Sequence, residues 1–275
     1  RVLVPAAEHY VHVTRVQVPD SELAPQIRRE LTYLNWQSTE IWVPVAMAIV
    51  EQYASAPAEQ LRALKSLHRL AVSFLIGGNS KTRQKTRYFA LIKQIRDGGG
   101  TGFDDGVFTI APPSLQALTN TVANGLYESR GQGQACMHVL SYLSAEMFGI
   151  VSAHHGKSST EHVLPLSAEP ASEWRRVIPD ATVREAAENS IGNITLLGKQ
   201  TNHEAGNLSF GDKQRVYFKA GETEFPLTNE LRDLSVFDAQ TILEREQRLM
   251  TKLTELWALP HYTSNLELAI RAALR

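Results

Sequence analysis

Three short pieces of this sequence carry side chains that can do chemistry. They are Glu161-His162-Val163-Leu164-Pro165, then Ile191-Gly192-Asn193-Ile194-Thr195-Leu196-Leu197, then Thr201-Asn202-His203 running on to Asn207, Phe210 and Lys213. A carboxylate is a hard oxygen ligand for a divalent cation. A neutral imidazole is a general base near neutral pH. The amide oxygen of Asn193 can hold an imidazole in one orientation, and Asn202 can supply a second oxygen ligand. An acid, a His and two Asn in that order suit phosphodiester hydrolysis at a single metal ion. The ion meets the charge growing on the leaving oxygen, and His162 activates water.

The elements around these residues must deliver them to one place. Neighbouring side chains of a strand point to opposite faces, so Glu161 and His162 share a site only where the strand ends or bends. Pro165 marks such a boundary. Gly192-Asn193 opens a β-branched and apolar run that reads as a second strand. Gly198 to Ala205 reads as a short helix closed by Gly206. Short β-like stretches with loop signals are expected after residue 151, and the polar segment Ser152 to Ser159 is expected to be a linker.

Upstream the pattern is helical. The apolar run Ile41 to Ala54 is interrupted early by Pro44. Pro57 sits at a usual helix start, Leu61, Leu64, Leu67, Ala71, Phe74 and Leu75 recur at helical spacing, and Gly77-Gly78 ends the run. Further helices are expected over Lys81 to Arg96, Ser114 to Tyr127 and Gln134 to Phe148. The last strong element spans Ser235 to Leu259, with an apolar stripe through Ile242, Leu249, Leu253 and Leu256 and a capping box at Ser235 and Asp238. The expected organisation is a helical module over residues 1–150 and a second domain over residues 151–275. The fold class is α+β, mostly helical.

Bulk properties narrow the function classes. The chain has 275 residues, 43% of them hydrophobic and 21% charged, the balance of an ordinary globular protein. A single cysteine, Cys136, excludes a disulfide framework and any zinc site that needs two thiolates. A formal net charge of −1 argues against coating nucleic acid by charge alone, though not against gripping a few phosphates. No stretch is apolar and long enough for a membrane span, and no signal peptide is seen, so no membrane partner and a cytoplasmic location are expected. Because the first residue is Arg1, the sequence reads as a piece of a longer chain.

The motif block from about residue 159 to 217 resembles the HNH-type C-terminal domain of GmrSD-like restriction enzymes, a family that includes SspE-type anti-phage nucleases. The closing helix with Arg245 and Trp257 is similar too, and the helical region resembles the family's connecting segment. The resemblance implies a ββα-metal core and an endonuclease or nickase acting on DNA with Mg2+ or Mn2+. It also implies a modification-sensing bacterial restriction system, with a nucleotide-hydrolysing sensor domain N-terminal to this region in the same protein. Carried over by position, His162 matches the general base and Asn193 the middle Asn. Glu161 and Asn202 are assigned to the metal. Glu161 stands where many members have Asp, and the segment between His162 and Asn193 is longer than in compact HNH units. Both departures keep a second reading open, a DNA- or partner-binding module on a degenerate nuclease core; ribonuclease activity is a third.

Other polar residues divide between function and plain surface. His154 and His155 are extra ligand candidates or part of a solvated linker. Lys199, Lys213 and Arg215 can touch phosphate or simply face water. Lys81, Arg83, Lys85, Arg87, Lys93 and Arg96 form the densest basic run, with Lys81 and Lys85, and Tyr88 beside them, on one face as a DNA track or an exposed helix. Trp174 and Trp257 are expected in the core.

Overall fold

The computed structural model describes residues 3–97, 112–127, 133–149 and 158–275. Gly98 to Gly100, His154, His155 and nearly all of the expected linker lie outside the described residues. The chain divides into two units, Arg1–Ala111 and Pro112–Arg275.

Among the described residues the first unit holds five helices: α1 (Leu3–Thr14), α2 (Ala24–Asn35), α3 (Val43–Gln52), α4 (Pro57–Ile76) and α5 (Lys81–Asp97). Prolines start three of them, where a missing N–H costs nothing. Pro44 therefore opens α3 rather than interrupting it. Leu31, Leu34, Ile49, Leu64, Leu67 and Leu91 form the core. Helix α5 buries only Tyr88, Leu91 and Ile95, and leaves Lys81 and Lys85 in solvent. Tyr88 is not on the basic face as expected, because its ring packs edge-on against Phe74.

The second unit begins with α6 (Pro112–Asn124) and α7 (Gly133–Phe148). Strands β1 (Ser158–His162) and β2 (Ile194–Gly198) pair antiparallel, with Ser158 opposite Gly198 and His162 opposite Ile194. Between them lie α8 (Glu173–Val177), α9 (Ala181–Asn189) and one 3-10 turn at Ile191–Asn193. The β-like reading of this stretch fails where α9 forms. Asp180 caps that helix by accepting from the Val183 N–H, and Val183 and Ala187 bury its inner face. Helix α10 (Lys199–Ala205) follows β2 directly, and α11 (Phe210–Tyr217), α12 (Pro226–Asn229), α13 (Ala239–Trp257) and α14 (Asn265–Ala273) complete the unit. Among the described residues no helix is long and apolar enough to cross a membrane.

Helix α13 is the spine behind the strands. It starts at Asp238, whose carboxylate accepts from the N–H and hydroxyl of Thr241, so Ser235 lies outside the helix. Its inner stripe runs through Ile242, Leu249, Leu253 and Trp257. A Cβ on Gly192 would fall 2.1 Å from the Ile242 carbonyl oxygen, so only glycine admits this approach of turn and helix. The buried Arg245 guanidinium then donates to the carbonyls of Gly192 (2.7 Å) and Ile194 (2.8 Å). Ser190 donates to Glu246 Oε2 at 2.5 Å.

Candidate active site

The end of β1 is gripped by α11. Lys213 has a fully buried side chain; its Nζ donates to Glu161 Oε1 at 2.6 Å and to the His162 carbonyl at 2.8 Å. Tyr217, one turn further along the same helix, donates to the same Glu161 oxygen at 2.7 Å. Burial pushes the Glu161 carboxyl up, against the pull of Lys213. It also pushes Lys213 down, against the pull of Glu161. The phenol of Tyr217 rises through burial and the adjacent carboxylate.

Past His162 the chain is held by Asn193. Its Oδ1 accepts from the Leu164 N–H at 2.7 Å, and its Nδ2 donates to the carbonyls of Leu164 (2.9 Å) and Glu188 (3.1 Å). The Val163 N–H donates to the Asn193 carbonyl at 3.0 Å. The amide thus braces the backbone two residues beyond His162, where an imidazole partner was expected. A short amide can satisfy both polar groups of one buried residue at once, and here it does.

The His162 ring meets the edge of Tyr127 at 4.7 Å between centroids. Burial, then the Lys213 charge, lowers the imidazole to about 4. A cleft of ≈ 630 Å³ opens there, lined by β1, Tyr127, Met137, Leu166, Asn202 and Asn207 among others. Asn202 spends its Nδ2 on Ser159 Oγ (2.9 Å) and the Thr160 carbonyl (2.8 Å), which keeps Oδ1 for another partner.

Residues 116–252 match the family model described as GmrSD restriction endonucleases, C-terminal domain. Over those residues the chain belongs to the GmrSD family. No curated protein and no solved structure matches the chain. The matched span of the GmrSD domain opens inside α6 and closes inside α13, and so takes in both strands, α10, α11 and the cleft. Membership makes this a restriction endonuclease domain.

Within the GmrSD domain, Glu161, His162 and Asn202 line one cleft, and Asn193 stands behind it as a brace. Lys199 is exposed, and Arg215 is exposed and paired with Asp212. Lys213 is corrected: a side chain with no exposed surface cannot reach a phosphate, and its ammonium is spent inside the protein. Lys81 and Lys85 belong to the other unit. The sequence reading missed Tyr127, Tyr217 and Ser159. The four-residue spacing of Lys213 and Tyr217 was a usable signal, since it puts two polar groups on one helix face.

Restriction endonuclease domains usually work with a divalent ion. Among the described residues no group of three or more His, Cys, Asp or Glu is placed to hold one. Both bonds to Glu161 fall on Oε1, so Oε2 takes neither. By donor chemistry alone, one carboxylate oxygen and one amide oxygen suit Mg2+, which usually fills the rest of its shell with water and substrate phosphate.

Proposed function

We propose that the GmrSD domain is an HNH-type DNA endonuclease that uses one divalent ion and, in isolation, nicks. What carries this reading is the His162 ring at the end of an antiparallel strand pair, facing a cleft, with a helix following β2 directly. That order of elements supports the reading, because a ββα-metal core also runs strand, strand, helix. His162 takes the proton of a water at its free ring nitrogen and directs the oxygen at phosphorus. Asn193 holds the loop after His162, and Lys199 and Arg215 steady flanking phosphates. Glu161 Oε2 and Asn202 Oδ1 are the groups that would hold Mg2+ or Mn2+, and a bound ion would supply neutralisation of the charge on the leaving oxygen.

On this reading the nuclease core sits within residues 151–275. The chain belongs to a modification-sensing anti-phage restriction system of the bacterial cytoplasm, with a nucleotide-hydrolysing sensor domain preceding it in the same protein. Lys81 and Lys85 offer a DNA track on the other unit.

The test is supercoiled plasmid with Mg2+. The expected product is open circle, lost by about 10²–10⁴-fold in His162→Ala. Equal cutting by His162→Ala removes the reading. The ion pair on Glu161 favours a second reading, a degenerate core that binds DNA without cutting it, because a neutralised carboxylate is a weak ligand. Calorimetry separates the two: Mn2+ binding supports the nuclease, and none at millimolar levels supports the binding module.

A further inference from the structure

Resting on the nuclease reading above, we propose that Lys213 is a positioning residue that aims both Glu161 and His162. Its two bonds fall on consecutive residues: the side chain before the base, and the carbonyl of the base itself. Tyr217 adds a second donor to the same Glu161 oxygen. Oε1 is thereby locked, and neither bond uses Oε2. On the far side, Asn193 holds Leu164 by both of its backbone groups. The backbone of His162 is clamped before and after the ring, so the ring stays against Tyr127.

Stability alone does not account for this clamp. A buried ion pair is often matched or bettered by an apolar pair of similar volume. Here the charged pair joins α11 to the strand end that bears the base, 52 residues away. An apolar pair would fill the space without fixing where an oxygen or a carbonyl points. Lys213 is not itself among the residues that line the cleft, so it acts through its two partners.

The experiment compares the full chain with Lys213→Met and the gentler Tyr217→Phe, assayed on plasmid well below each variant's melting temperature. For Lys213→Met, kcat falls about 10²-fold, the scale of a small misplacement. KM for DNA and the salt dependence of binding hold at the wild-type values. Tyr217→Phe loses less, in the same direction. The ring-proton shift that Tyr127 imposes on His162 in the NMR spectrum moves toward the free value in both. A wild-type kcat in folded Lys213→Met makes the residue structural only and overturns the proposal. So does a raised KM with a salt slope shallower by about one, the signature of a phosphate contact. If the wild-type chain does not cut at all, the nuclease reading falls, and an unmoved ring shift then overturns the clamp as well. If Lys213→Met does not fold, Tyr217→Phe decides by the same readouts.

Discussion

Asn193 shows how one buried side chain can serve a site without touching substrate. It is fully buried, and its amide satisfies three backbone groups at Leu164 and Glu188. Asn193→Ala strands those groups at about 1–3 kcal/mol each, against a net gain of only about 1 for an ordinary hydrogen bond. Denaturant unfolding of Asn193→Ala is therefore expected to show a loss of several kcal/mol, with Asn193→Asp recovering only part, since a carboxylate cannot donate to the two carbonyls. A loss below about 1 kcal/mol would mean that the Leu164 turn is held by something else.

At the scale of elements, the junction of the Ser190–Asn193 turn with α13 sets the position of β2 and, through the ladder, of β1. Gly192 lies against the backbone of that helix, with Glu246 N 2.8 Å from where a Cβ would stand. Backbone cannot swing aside like a side chain. Gly192→Ala is expected to cost at least about 3 kcal/mol, the upper range for overpacking, measured by chemical unfolding. The same junction carries a pH dependence. Glu246 is buried beside Ser190, Tyr262 and Ser264, and burial raises its carboxyl. The folded state then holds the proton more tightly than the unfolded chain. The resulting stabilisation is full below the unfolded value and is lost as pH rises through the folded one. Melting curves taken upward from pH 4 are expected to show that decline in the wild type and a flatter profile in Glu246→Gln. Parallel profiles would remove Glu246 from the account.

For the whole molecule, the site depends on helices that precede the motifs. Helix α7 packs on β1, β2 and α13, and Tyr142 stacks on Trp257 at 5.3 Å. A chain beginning at Pro112 keeps these contacts, whereas one beginning at Val151 loses them. The longer piece is expected to melt cooperatively and to cut plasmid like the full chain. The shorter one is expected to bind a hydrophobic dye and melt without a clear transition. Equal cooperativity of the two pieces would show that α6 and α7 are dispensable to the fold.

Much of this protein follows from local pattern. Helices α3, α4 and α5 of the first unit, Pro57 and Gly77-Gly78 at the ends of α4, the short helix closed by Gly206 and the order of the motif residues are all written in spacing along the chain. Such features rest on interactions between residues a turn or two apart, so a linear reading can find them. The partners of the buried polar groups are of another kind. Lys213 meets Glu161, Asn193 meets Leu164 and Gly192 meets Ile242 only because distant segments converge. A lysine in an amphipathic helix looks the same on paper whether it faces water or a carboxylate. Its burial is decided by what the rest of the chain places opposite it, and only the tertiary structure supplies that.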